Sequence, residues 1–191
     1  MKVVAFNGSP REGGNTEILL KEVLKVLVEK GIDTEFIQIG GKKINPCRAC
    51  GACRKALNKK CVFEDDIFNE CFEKMVQADA ILLGTPTYFA GMTPETKALI
   101  DRSGYVARGN GGLFRHKIGA GVISQRRGGA TSVLESINYM FLMSEMVVPG
   151  STYWNFGFGA DKGDVLQDEE ALKNMQNLGE NIAWLLEKIK S

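Results

Sequence analysis

The sequence predicts an α/β fold built on a doubly wound, five-stranded parallel sheet. Three observations carry this. Short apolar runs such as "KVVAF", "AILLG" and "KIGAGVIS" recur along the chain, bounded by Gly, Pro and Asn. Between them lie longer segments with apolar residues at helical spacing. Strand and helix alternate from one end to the other, the pattern of a parallel sheet covered on both faces. Right-handed crossovers leave few topologies for such a chain, and the order 2-1-3-4-5 is the natural one.

The first strand is Lys2 to Phe6, closed by the turn "NGSP". A helix starts at Asn15, with Ile18, Leu19, Val23, Val26 and Leu27 near one face, and stops at Gly31. "TEFIQI" (34–39) alternates and forms the second strand. Residues 66–78 form a helix with Ile67, Cys71, Met75 and Val76 inward. "DAILLG" (79–84) is the third strand, apolar enough to be buried on both faces. The helix 93–103 has Thr93 as N-cap and Pro94 at its first position. "KIGAGVIS" (117–124) is the fourth strand and 130–145 the next helix. "MVVPGSTYW" (146–154) opens the fifth strand, broken near Pro149. The last helix places Leu172, Met175, Leu178, Ile182, Leu185 and Ile189 at helical spacing. No linker or repeat divides the chain, so 1–191 reads as one domain. Only residues 40–65, after the second strand, lack strand or helix character. A loop of that length in a compact domain usually serves function.

Composition excludes several classes. The chain has 191 residues with 44% hydrophobic and 25% charged, as expected of a soluble globular protein. A formal net charge of +1 offers no global attraction to nucleic acid or a membrane surface. No apolar run is long enough to span a bilayer, and the N-terminus lacks a signal-peptide pattern. The expected compartment is the cytoplasm, where disulfides are rare and clustered cysteines bind metals or do redox chemistry.

Ligands of open parallel sheets bind beyond the carboxyl ends of the strands, near the switch point. "NGSPREGGNT" (7–16) leaves the central first strand there and feeds a helix N-terminus. Ser9, Arg11, Asn15 and Thr16 supply hydroxyl, guanidinium and amide donors to an anion. Neither G-x-x-x-x-G-K-[ST] nor G-x-G-x-x-G is present, so the loop suits a monophosphate. The plain alternative is a strand-to-helix turn with Asn15 as N-cap. "TPTYFAGM" (85–92) follows the third strand and suits the edge of a flat ring, although Tyr88 and Phe89 also read as packing residues. "SQRRGGAT" (124–131) follows the fourth, with Gly128 and Gly129 permitting close approach.

"GSPREGGNT" and "TPTYFAGMTPETKALIDR" resemble the phosphate and ring loops of NAD(P)H-dependent FMN reductases and their flavodoxin-like relatives. The resemblance implies FMN, its phosphate on Ser9, Arg11, Asn15 and Thr16. Its ring would meet Pro86, Thr87, Tyr88, Phe89 and the loop Arg126 to Gly129, including Gly128.

The stretch "INPCRACGACRKALNKKCVFEDD" holds Cys47, Cys50, Cys53 and Cys61 in the spacing C-x2-C-x2-C-x7-C. Three cysteines at successive x2 spacing are typical of [4Fe–4S] binding, whereas zinc sites usually separate two C-x2-C knuckles by a longer loop. A structural zinc, redox thiols or a vestigial motif are the alternatives. Cys71 falls on an apolar helix face and reads as an inert core residue.

Flavin-type loops joined to this insert resemble the iron-sulfur flavoproteins, a redox family of anaerobic prokaryotes. That resemblance implies FMN plus one [4Fe–4S] cluster, held by the four cysteines in 40–65, and electron transfer with a one-electron carrier such as ferredoxin. It implies a homodimer or tetramer with one chain's cluster near another's flavin. An NAD(P)H-dependent FMN or quinone reductase with structural cysteines is the alternative. The second strand ends beside the first, so the cysteine loop begins ~10 Å from the flavin edge. Lys42, Lys43, Arg48, Arg54, Lys55, Lys59 and Lys60 precede Cys61 with no acid among them. They balance the charge of a cluster or form a docking patch for an acidic carrier. His116 reads as a strand-edge residue, and Tyr153 and Trp154 as core packing, with flavin shielding or a partner contact as the alternatives.

Overall fold

The computed structural model describes residues 1–190. Five parallel strands, β1 (Lys2–Asn7), β2 (Asp33–Gln38), β3 (Ala80–Pro86), β4 (Ile118–Gln125) and β5 (Phe156–Phe158), form one sheet in the order β2-β1-β3-β4-β5. The helices are α1 (Asn15–Glu29), α2 (Ala52–Ala56), α3 (Phe68–Gln77), α4 (Pro94–Gly109), α5 (Ala130–Met143) and α6 (Glu169–Lys190). The doubly wound topology is the expected one.

Successive strand side chains point to opposite faces, so each inner strand feeds two cores. Val3, Ala5, Leu82, Ala120 and Val122 pack under α1 and α6. Val4, Phe6, Ile81, Leu83 and Ile123 pack under α3, α4 and α5. Two glycines set the helix-to-sheet spacing. A Cβ on Gly84 would lie 2.8 Å from Leu20 Cγ, and one on Gly119 would lie 2.6 Å from the Phe141 ring.

Several local expectations are corrected. β5 is Phe156–Phe158, not the segment opening at Met146. Residues 146–154 supply only one bridge, Val147 to Ile118, because Pro149 and Gly150 break the ladder. Tyr153 and Trp154 are not core residues. Each is 54% exposed, and they cluster with Phe156 on the surface. α4 runs six residues past Ser103, since Gly104 faces open space and a single glycine costs a helix only ~1 kcal/mol. The stretch 40–65 contains α2, a short helix started by Gly51 at φ 71° and closed by Leu57 at φ 49°. On α6 the buried apolar side chains are Ala171, Met175, Leu178, Ile182, Ala183 and Leu186, and Ile189 is exposed. His116 lies in a left-handed turn (φ 65°) two residues before β4, its N–H donated to the Glu145 carbonyl at 2.9 Å.

Candidate functional site

Two concavities gather the residues singled out by the sequence. The first, about 420 Å³, opens at the carboxyl ends of β1, β3, β4 and β5, where the strand order reverses. Ser9, Arg11, Asn15, Pro86, Thr87, Tyr88 and Arg126 line it, together with Ser124, Gln125 and residues 159–162. Arg11, Arg126 and Lys162 bring positive charge, against Asp161 alone among the acids.

The turn after β1 is internally wired. Asn7 Oδ1 accepts from Ser9 N–H (3.1 Å), and Ser9 Oγ accepts from Arg11 N–H (3.2 Å). Gly13 N–H goes to Glu17 Oε2 at 2.6 Å. Gly14, not Asn15, is the N-cap of α1. Asn15 is instead an anchor for the loop after β5. Its Nδ2 donates to Asp161 O (2.9 Å), while Oδ1 accepts from Gly163 N–H (2.9 Å) and Val165 N–H (3.4 Å). Thr16 Oγ1 is hydrogen-bonded to Ser124 Oγ at 2.7 Å, tying α1 to the end of β4.

The loop after β3 is a tight reversal. Tyr88 and Gly91 exchange both backbone hydrogen bonds at 2.8 Å, with Phe89 and Ala90 at positive φ between them. Phe89 therefore projects fully into solvent, 108% exposed, with Gly128 on the rim of the neighbouring cleft. Gly129 is the N-cap of α5 at φ 92°, packed against Thr87 and Ala90. Thr87 Oγ1 is buried and has no hydrogen-bond partner, and its residue lines the cavity. An orphaned hydroxyl at the edge of a cationic cavity fits a bound ligand with polar ring atoms and a phosphate.

Sequence reasoning put Ser124 and Gln125 at the start of the loop 124–131 without naming them as contacts, and missed residues 159–162. The first two end a buried strand and carried no turn signal. The others depend on where β5 lies, and β5 was misplaced.

The second concavity is lined by Cys47, Cys50, Cys53 and Cys61 with Arg48, Phe63, Arg102, Tyr105 and Val106. Cys50 is exposed and the other three are half-buried. Burial, then the neighbouring Cys61 and Cys50 thiols, pushes the Cys53 thiol up from its ordinary pKa. Ala49, at φ 50°, turns its N–H toward Cys47 Sγ at 3.5 Å. Among the described residues no three His, Cys, Asp or Glu side chains converge on one point as a ready-made metal site. The four thiols instead share one shallow wall. That donor set, all sulfur and with an N–H on one Sγ, suits a sulfur-rich cluster.

Polar side chains outside the cysteine motif hold this loop. Asn69 accepts from Cys61 N–H (2.8 Å) and donates to Cys61 O (2.9 Å). Asn110, at the C-cap of α4, donates to Cys53 O (3.3 Å) and accepts from Lys59 N–H (2.9 Å). Asp66 accepts from Asn45 N–H (2.7 Å) and pairs with buried Arg102 at 2.5 Å. Burial pushes the Asp66 carboxyl up, but the hydrogen bonds it receives outweigh this and hold it below the usual carboxylate range. Cys71 is apart from all of this, 2% exposed on the inner face of α3, and burial pushes its thiol up to about 12.

Fold and cavity together define a flavodoxin-like protein. Residues 1–161 match the family described as NADPH-dependent FMN reductase. An iron-sulfur flavoprotein of Methanocaldococcus jannaschii is 38% identical, with both chains fully covered. The iron-sulfur flavoprotein of Methanosarcina thermophila is 33% identical over all of this chain and 97% of its own. A flavodoxin structure from the domain Archaea superposes with a TM-score of 0.64 at 19% identity, covering all of both chains, a likeness of fold alone. The chain belongs to the iron-sulfur flavoproteins, within the NADPH-dependent FMN reductase family.

Proposed function

We propose that this chain binds FMN in the cationic cavity and one [4Fe–4S] cluster on Cys47, Cys50, Cys53 and Cys61. It exchanges electrons between a one-electron carrier, such as a ferredoxin, and an acceptor reached through the flavin. The carrying observation is that these four cysteines, and not Cys71, line one concavity on a chain with a separate flavin-type cavity. When bound, the flavin supplies one- or two-electron chemistry and the cluster supplies one-electron exchange.

The chain's own groups do the binding and positioning. Arg11, Arg126 and Lys162 supply charge for the phosphate, with Ser9 in the turn beside them. Asn15 and Thr16 act one step removed, holding the residue 159–165 loop and Ser124 in place. Pro86, Thr87 and Tyr88 border the ring, with Thr87 Oγ1 free to hydrogen-bond its polar edge. Phe89, Gly128 and Gly129 shape the outer rim.

The cysteine concavity lies against Arg102, Tyr105 and Val106, while α4 begins at Pro94 beside the turn after β1. At a rise of ~1.5 Å per residue, that is roughly 12–18 Å along the helix from the flavin end. Although the loop begins beside Ser9, its thiols sit well down α4. This separation, with Cys50 exposed, favours a homodimer or tetramer in which one chain's cluster faces another chain's flavin.

Anaerobic purification with iron, sulfide and FMN quantitation tests the reading. We expect four iron, four sulfide and one FMN per chain by the stoichiometry of such a cluster. Cys47→Ala, Cys50→Ala, Cys53→Ala and Cys61→Ala should each lose iron and keep FMN, while Cys71→Ala keeps both. Full iron content in Cys61→Ala would defeat the ligand assignment. The family match over residues 1–161 favours a second reading, an NAD(P)H-dependent flavin or quinone reductase whose cysteines are structural. Flavin absorption without iron or sulfide, with turnover of NADPH, would select it.

A further inference from the structure

Arg102 is the largest fully buried side chain of the protein, 1% exposed on the face of α4 that meets the cysteine loop. Its Nη1 donates to Asn45 O (3.2 Å) and Asp66 Oδ2 (2.5 Å), and its Nη2 donates to Phe63 O (3.0 Å). The guanidinium lies over the Phe68 ring, 4.0 Å from its centroid. These contacts grip the chain on both sides of the cysteine motif. Nε has no hydrogen-bond partner at all, although it is buried. Arg102 lines the cysteine concavity, and Asp66, which balances its charge, does not. The other arginine on that wall, Arg48, is exposed and lies over Phe63.

A buried N–H without a partner calls for an explanation, and an acceptor on a bound group is a standard one. Sulfur in a cluster accepts hydrogen bonds, and both such bonds and nearby positive charge favour the more negative, reduced form. We propose that Arg102 donates its Nε–H to a sulfur of the group held by Cys47, Cys50, Cys53 and Cys61, and so raises that group's reduction potential. The inference rests on the [4Fe–4S] reading above and adds to it a positioning and tuning residue outside the cysteine motif.

The test is made on anaerobically purified holoprotein. Arg102→Lys keeps the charge but loses the fork. Arg102→Met combined with Asp66→Asn removes donor and charge without stranding a buried carboxylate. Cluster midpoint potentials are read by electron paramagnetic resonance during redox titration, with the flavin midpoint, FMN content and melting temperature alongside. We expect the cluster midpoint to fall in the order wild type, Arg102→Lys, double variant, while the flavin midpoint stays put. Electron–nuclear double resonance should show a strongly coupled exchangeable proton in the wild type that the double variant lacks. Loaded variants with wild-type cluster potentials would overturn this assignment alone. So would loss of iron and sulfide from both variants with FMN retained, which would make Arg102 a strut and nothing more. Wild-type protein that takes up FMN but no iron or sulfide would overturn the cluster reading, and this inference with it.

Discussion

Thr87 and Gly40 illustrate opposite ways in which a single residue serves the cationic cavity. Thr87 contributes a buried hydroxyl with nothing to bond inside the protein. Thr87→Val removes that unsatisfied group, so the ligand-free protein should melt at the same temperature or higher. FMN should bind about fivefold more weakly, corresponding to ~1 kcal/mol for one neutral hydrogen bond. Isothermal titration and a thermal melt separate the two effects. Gly40 contributes the absence of a side chain. A Cβ there would lie 2.6 Å from Gly8 O and press on Ser9 as well. Gly40→Ala should therefore lower both the melting temperature and FMN affinity, because backbone atoms of the turn must move. Arg11 differs again: its Nη1 donates to Ala160 O at 3.2 Å, so it joins the two loops that border the cationic end. Arg11→Ala should weaken FMN at least tenfold, the loss of a charge-assisted contact of ~1.5–3 kcal/mol. Unchanged affinity by titration would take Arg11 out of the phosphate site.

Among the elements, the inner strands were legible because burial on both faces leaves continuous apolar runs. "AILLG" could be little else. α4 was legible at its start, where Thr93 and Pro94 form a standard N-terminus, and not at its end, where Gly104 imitates a stop signal. β5 was not legible: three residues of "FGF" hold the sheet edge, and the more apolar "MVV" upstream drew the assignment away. The same error hid residues 159–162 from the site. The cysteine ligand candidates were visible from spacing, but the residues that hold their loop were not. Asn69, Asn110 and Arg102 act across 8 to 57 positions of sequence, which no local pattern encodes. The sheet edge also carries a testable ion pair. Glu35 on β2 bonds Lys2 (2.8 Å) and Lys74 (3.0 Å), and these hold its carboxyl below its ordinary pKa despite partial burial. A depressed carboxylate stabilises the fold above its unfolded pKa, and that contribution fades as pH falls through the folded value. Glu35→Gln should thus be slightly less stable than wild type at neutral pH. The difference should begin to shrink as pH falls past the ordinary glutamate value and vanish only below the depressed folded value. Urea melts at several pH values check this.

Across the whole molecule, charge is balanced overall yet unevenly placed. Lys43 pairs with Asp65, and Arg48 and Arg54 lie over the rings of Phe63 and Tyr105. Lys55, Lys59 and Lys60 are exposed around the cysteine concavity. Such charges steer an acidic partner, and their reach falls off beyond ~10 Å at 0.1 M salt. Changing all three to glutamine should slow reduction by a reduced ferredoxin at low salt and flatten the dependence on ionic strength, with cofactor content unchanged. Matching salt slopes for variant and wild type would place docking on another face. No helix among the described residues is long and apolar enough to cross a membrane.

Cys71 gives the molecule an internal clock. Its thiol sits between α3 and the sheet with its pKa pushed up to about 12, so in the closed structure it offers neither access nor thiolate. Alkylation at Cys71 must wait until α3 lifts away, and its rate then measures how often that happens. In cluster-free protein, mass spectrometry of iodoacetamide-treated samples should count four fast additions and one slow one. The ratio of the slow rate to that of the unfolded chain gives the opening equilibrium directly. Repeating the measurement with FMN bound would tell whether filling one end of the sheet quiets α3, whose Asn69 holds Cys61.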